Sequence, residues 1–328
     1  MSNAVKWIIC VLLFLVLAPL SLLLGSVDIP FGAFLGEADQ LQTVIIRESR
    51  IPRTLAAIFA GMGLSLGGLF MQTLFRNPLA GPSVLGLTSG SSLAVGILTL
   101  GGGVLATSQI AVVSAAAVGA LVVLLIILAV ASRFAHISSV LIVGLMLGFF
   151  TSAIVSLLQA YADESSLKTF VFWGFGSFSN LVFDQLLVFT LPLTIAILVA
   201  PLFIKPLNHL LLGILHAQSM GVHVKRLQII LVVITGVMVG IITAFCGPIA
   251  FIGLAVPHLA RMLFSTPDHR IVLPASLLIG ACIALLCDLV ARMPFSDFVL
   301  PLNTVCAFMG APVVIYLIFK GRKRRIFS

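Results

Sequence analysis

The stretch from Arg50 to Leu87, RIPRTLAAIFAGMGLSLGGLFMQTLFRNPLAGPSVLGL, constrains what this chain can fold into more than any other. Two arginines open it, a glycine-dense apolar run fills it, and a turn built from Arg76, Asn77, Pro78, Gly81 and Pro82 closes it. Beyond Arg53 no charge occurs before Arg76. About 25 residues at 1.5 Å rise exceed a hydrocarbon core of about 30 Å, so the segment reads as one tilted membrane crossing. Gly61, Gly63, Gly67 and Gly68 strip side chains from this helix. The Gly63/Gly67 pair has the small-xxx-small spacing that admits a second backbone, which predicts a helix wrapped by others rather than facing lipid.

The remainder of the chain is as apolar. With 61% hydrophobic and 9% charged residues over 328 positions and a mean hydropathy of +1.26, no water-soluble core could absorb the surface. The fold class is therefore all-α and polytopic. Cys10, Cys246, Cys282, Cys287 and Cys306 all fall in or beside apolar runs without metal-ligand spacing, so they read as packing residues with no disulfide framework. The first apolar run, Trp7 to Leu24, is longer than a signal-peptide core and lacks a small-x-small cleavage site, so it is expected to stay as the first helix.

Ten spans fit the hydropathy, at about 7–25, 51–75, 84–100, 108–131, 138–160, 184–204, 227–246, 255–265, 271–290 and 302–319. The eighth is short and is interrupted by Pro257 and His258. With a cytoplasmic N-terminus, thirteen of the eighteen Lys and Arg residues fall inside and five (Arg47, Arg50, Arg53, Lys168, Arg292) outside. That is the positive-inside bias of a chain with both termini in the cytoplasm. The net charge of +8 thus reflects topology and not nucleic-acid binding.

Two loops are rich. Tyr161 to Asn180 combines charge with a Phe/Trp/Gly run and predicts a short helix across the outer mouth, with an interfacial aromatic belt as the plainer alternative. Lys205 to Gln228 has too many polar interruptions to span. It holds a helix-turn-helix pattern pivoting on Gly221, with Leu210, Leu211, Ile214 and Leu215 on one face of an amphipathic helix. That helix either rests on lipid headgroups or docks a soluble partner. A short echo, Gly81 to Leu87 against Gly247 to Leu254, falls on opposite predicted sides, as an inverted-topology repeat would place it.

No G-x-x-x-x-G-K-[ST], H-E-x-x-H or C-x-x-C occurs. Any ATP chemistry would belong to another chain, with no cofactor and no metal held here. Ionisable groups are scarce within the spans. Asp288 and Arg292, one helical turn apart, read as an i,i+4 ion pair. A stand-alone proton- or sodium-coupled carrier remains the alternative class, but it would be expected to put carboxylates at the midplane.

Several passages together resemble the FecCD family, the permease subunits of bacterial ABC importers for iron–siderophore complexes, haem and cobalamin. They are Arg50-Ile-Pro-Arg53-Thr-Leu-Ala, Met71-Gln72 with Asn77-Pro78-Leu-Ala80, Leu85-Gly86, Gly247 with Phe251-Ile-Gly253-Leu and Pro257-His258, Asp268-His269-Arg270 with Leu273-Pro274, Asp288-Leu-Val-Ala-Arg292, and Gly310-Ala-Pro312. The resemblance runs in order from the second span to the C-terminus. It implies a B12-permease-like fold of the type II ABC importers, one transmembrane permease domain over 1–328 with a cytoplasmic coupling segment at about 206–226. It also implies a homodimer in the bacterial inner membrane, two cytoplasmic ATPase subunits carrying ATP and Mg, and one periplasmic substrate-binding protein. By resemblance, Arg50, Arg53 and Arg292 receive acidic residues of the binding protein, for which exposed, fork-shaped guanidiniums suit. Gly213, Ala217, Met220 and Gly221 contact the ATPase, and Ile137, Ser138 and Ser139 lie at a cytoplasmic gate.

Overall fold

The computed structural model describes residues 2–25, 32, 39–101, 108–133, 137–292 and 300–321. Each of the ten expected spans contains a helix: α1 (Asn3–Leu23), α3 (Ile51–Leu74), α4 (Leu87–Leu100), α5 (Gln109–Arg133), α6 (Ile137–Tyr161), α8 (Leu186–Val199), α11 (Val224–Cys246), α12 (Ile252–Phe264), α13 (His269–Arg292) and α14 (Leu302–Gly321). Among the described residues four shorter helices join them: α2 (Gln40–Ile45), α7 (Glu164–Gly174), α9 (Ile204–Leu211) and α10 (Ile214–Ser219). The helix expected between Tyr161 and Asn180 is α7, capped at its start by Asp163, which accepts from the Ser166 backbone N–H.

Several boundaries differ from expectation, each for a local reason. Residues 40–74 form one unbroken helical run, because a π-helical turn at Ile46–Arg50 joins α2 to α3; the arginines thus sit on a helix and not at a loop mouth. The sixth span likewise runs on to Leu211, since a 3-10 turn at Ala200–Phe203 absorbs Pro201 and feeds α9. The third span holds only 14 residues of α-helix and the eighth, short as expected, 13, about 20 Å each at 1.5 Å per residue and too short to cross the core unaided. Pro257 does not interrupt α12, which continues through it.

α3 is the axis of the molecule and is buried along nearly all of its length. Its neighbours pack in order along it. Gly61 meets Gly280 of α13 so closely that a Cβ on Gly61 would lie 2.3 Å from the Gly280 carbonyl oxygen. Gly68 does the same with Gly253, where a Cβ would lie 1.7 Å from the carbonyl oxygen. The backbone approaches are therefore at Gly61 and Gly68. Gly63 and Gly67 instead receive the side chains of Ile242 and Thr235 from α11.

This packing explains the two short helices. α12 begins level with Gly68, well along α3, so the chain from Gly247 to Phe251 doubles back after α11. At the turn Phe251 holds φ of 66°, a value bulky residues avoid, and Asn303 of α14 accepts the Ala250 N–H at 3.0 Å. From the other end the chain after α3 doubles back as well, bringing Pro82 against Gly253, whose Cβ would stand 2.6 Å from the proline Cδ. The echoing segments thus enter from opposite ends and touch. Gln72 secures the junction: its amide donates to the Leu254 carbonyl at 2.9 Å and accepts from Arg261 at 2.7 Å. With lipid outside and no hydrophobic drive between helices, such close packing and internal hydrogen bonds are what hold the bundle together.

Candidate docking and coupling sites

At the Arg50 end, α3 and α13 present charges one helical turn apart, and the structure turns them inward. Asp288 is 1% exposed and lies between two guanidiniums. Arg53 donates through Nε at 3.0 Å and approaches through Nη2 at 2.9 Å, while Arg292 donates through Nε at 2.9 Å and forms a second contact through Nη2. Arg292 also donates to the Ser21 carbonyl at 2.7 Å, the Leu24 carbonyl at 2.9 Å and the Ser21 hydroxyl, which is 3.0 Å from the Thr54 hydroxyl. The Arg50 guanidinium reaches the Leu24 carbonyl and lies against Gly25. The expectation of three exposed arginines is therefore corrected. Arg50 and Arg292 are buried, because the carbonyls at the end of α1 and the carboxylate of Asp288 satisfy their donors inside the bundle. Of the three, Arg53 keeps the most surface, with 20% of its side chain exposed. Arg47, a turn earlier, is 62% exposed and stacks 4.7 Å above the Phe183 ring. The i,i+4 pairing of Asp288 with Arg292 is as the spacing predicts.

At the opposite end the chain turns outward. Leu210, Leu211, Ile214 and Leu215 were expected on one face of one helix; instead α9 and α10 are separated at Gly213, whose φ of 117° and ψ of 157° belong to a region essentially reserved for glycine. The break rotates the apolar residues apart, so they share no one face. Leu210 is buried under the bundle, whereas Leu215 is 83% exposed. Gly221 closes α10 in the left-handed conformation at φ of 83°. The Val222 N–H bonds to the Ala217 carbonyl and the Gly221 N–H to the Gln218 carbonyl, the pattern of a Schellman cap. Nothing lies within 4 Å of a Cβ built on Gly213 or Gly221. Among the residues expected to face a partner, Met220 is 57% exposed, but Ala217 is fully buried and faces the bundle.

Beneath this segment runs a polar chain that sequence reading did not identify. Asn208 of α9 donates its amide to Asp268 at 2.7 Å, and its carbonyl oxygen accepts both the backbone N–H of His269 at 2.9 Å and the ring Nδ1 at 2.8 Å. The other ring nitrogen of His269 lies 2.9 Å from the Thr73 hydroxyl on the last turn of α3. Asp268 accepts the Arg270 N–H at 2.9 Å, and that bond, with the Asn208 amide and against some desolvation, holds its carboxyl below the usual range. The Asp268-His269-Arg270 triplet was visible as a motif, but its partner 60 residues away was not. The side chains of Ile137 and Ser138 lie outside the described residues; α6 begins at Ile137, and Ser139 is half-buried there.

The FecCD transport family model matches residues 12–320. The chain belongs to the FecCD transport family. It is 37% identical over 314 residues to the vitamin B12 import system permease protein BtuC of Klebsiella pneumoniae, covering 95% of this chain and 93% of that protein. It is 36% identical to the BtuC of Salmonella typhimurium over 97% of this chain and 96% of the other. A solved structure described as an inward-facing conformation of a metal-chelate type ABC transporter superposes with a TM-score of 0.85 at 31% identity, covering 97% of this chain and 100% of that one. The FecCD protein is thus a multi-pass membrane permease of the ABC-importer class, with the helical fold that the motifs implied. Several residues that carried the resemblance are fasteners: Gln72, Gly253, Asp268, Asp288 and Arg292.

Proposed function

We propose that this chain is the permease of an importer that brings a bulky metal chelate, with cobalamin as the first candidate and haem and ferric siderophores next, across the bacterial inner membrane into the cytoplasm. Two copies form the pathway, a pair of ATPase subunits binds the face carrying α9 and α10, and one substrate-binding protein binds the Arg53 face. The ATP and Mg belong to the ATPase, and both termini lie on its side. One observation carries the reading: a segment bent at Gly213 and Gly221 exposes Leu215 and Met220 on a chain without a nucleotide-binding loop. Exposed apolar side chains on the lysine- and arginine-rich face fit a soluble partner.

On the outer face, direct docking contacts fall to Arg53 with its neighbour Arg47. Arg50 and Arg292 add positive field from within. A gate at Ile137, Ser138 and Ser139 stands at the start of α6 on the ATPase side.

The test is uptake into proteoliposomes. The permease with its ATPase and binding protein should accumulate cyanocobalamin, haemin or ferrichrome only when ATP is enclosed on the ATPase side, and the permease alone should accumulate none. Gradient-driven uptake by the permease alone would establish the stand-alone carrier instead.

A further inference from the structure

The Asn208–His269–Thr73 chain joins three elements that have different jobs. α9 leads directly into the exposed coupling segment, α13 is bound to α3 at its far end by the Arg53–Asp288 pair, and α3 is the axis against which the short helices pack. Arg53 and Thr73 are about 30 Å apart along α3 at 1.5 Å per residue. Over that length α3 and α13 are held by a charge-assisted pair at one end and by backbone contact at Gly61 and Gly280 in the middle. At the coupling end the polar connection runs from the Thr73 hydroxyl to the His269 ring, at 2.9 Å.

The hydrogen-bond directions are set by the network. Asn208 spends its amide on Asp268, so its oxygen faces His269 and the ring must carry a proton on Nδ1. In the neutral ring Nε2 is then an acceptor, and Thr73 donates to it. His269 is fully buried, where such a chain is directional and each bond reinforces the next. Thr73 has a second acceptor, however, since its hydroxyl also lies 2.8 Å from the Leu69 carbonyl of its own helix. One hydroxyl proton serves one acceptor at a time. If α9 and the start of α13 withdraw, Thr73 can turn its proton to Leu69 without being left unsatisfied, so the contact can open without the usual penalty on the α3 side.

We infer that Thr73, His269 and Asn208 form a polar latch through which the coupling segment holds and releases the central helix α3. The three are positioning residues: none touches substrate or nucleotide. The inference rests on the permease reading above and deepens it, because coupling requires an element whose contacts differ between two states.

Two substitutions at Thr73 separate a latch from simple packing. Thr73→Val keeps the shape and removes the hydroxyl; Thr73→Ser keeps the hydroxyl and removes a methyl group. Each is reconstituted with the ATPase and binding protein. Phosphate release is measured with and without binding protein, and uptake is followed for whichever of cyanocobalamin, haemin and ferrichrome the unaltered transporter moves. The latch predicts that Thr73→Val lowers substrate moved per ATP, and the stimulation by binding protein, by about fivefold or more, while Thr73→Ser stays near the unaltered ratio. Asn208→Asp, which sets a second carboxylate against Asp268, should uncouple in the same way.

Unchanged coupling in assembled Thr73→Val and Asn208→Asp, or a larger loss in Thr73→Ser than in Thr73→Val, overturns the latch. So does failure of both Thr73→Val and Asn208→Asp to assemble while Thr73→Ser assembles, since the chain would then serve folding. If the unaltered complex hydrolyses no ATP and moves no probe, the permease reading itself fails, a result distinct from any of these.

Discussion

The Arg50 end and the Gly221 segment were both expected to meet soluble partners, and they fold in opposite ways. At the first, guanidiniums turn inward onto Asp288 and the end of α1; at the second, apolar side chains turn outward. The contrast shows that charge alone does not mark a docking surface in a membrane protein. A buried arginine is stable wherever carbonyls and a carboxylate can meet its fork, and an exposed leucine persists where backbone bends force it off the bundle. Docking is written in what the backbone leaves uncovered.

The sharpest way to break this comparison is Asp288→Ala. Removing the carboxylate strands the buried Arg292, whose side chain is only 4% exposed. Losing one partner of such a pair costs about 3–5 kcal/mol. The variant should lose monodisperse protein after detergent extraction, with a matching fall in thermal midpoint. A folded, fully stable Asp288→Ala would mean that the cluster is not structural. For the same reason, reversing Arg292 to Glu should impair folding as well as docking.

Smaller effects belong to the other region. Gly221→Val must force a β-branched residue into a left-handed conformation, at a cost of about 1–2 kcal/mol, yet it meets no neighbour. Membrane-domain stability should therefore change little, while ATPase binding or the transport-to-hydrolysis ratio falls, as read by copurification and coupled assay. Normal coupling in Gly221→Val would turn the segment into a plain lipid-facing helix.

Next in size is Arg47→Glu, which alters a surface charge without touching Asp288. It should slow capture of the binding protein at low salt, with the difference fading at high salt and stability unmoved. The smallest effect is pH-dependent. Because the Asp268 carboxyl is held below its unfolded value of about 3.9, chiefly by the Arg270 N–H, its contribution is complete above that value and is lost as pH falls through the lower folded value. Thermal midpoints of the unaltered protein and Asp268→Asn should converge at the acid end and separate above it.

The helices were legible because uninterrupted apolar runs of spanning length have few alternatives. Their ends were less so. Nothing in the sequence order says that Gly68 meets Gly253, the contact that sets where α12 starts along α3. The i,i+4 partnership of Asp288 and Arg292 could be read locally, whereas Arg53 joins them across 235 residues. Gly221 was readable as the pivot of its segment, whereas the break at Gly213 was not read, and Ala217, which entered by resemblance, is buried. Local chemistry is visible in sequence; which face it ends on depends on contacts from distant segments.

Cysteine cross-linking on α10 and its cap tests the central claim most directly. With single cysteines introduced at Met220 or Ala217, in a background lacking the five native cysteines, and the partner ATPase bound, the structure predicts a cross-link from Met220→Cys and none from Ala217→Cys. A cross-link from Ala217→Cys with none from Met220→Cys would contradict the outward-facing coupling segment on which the account depends.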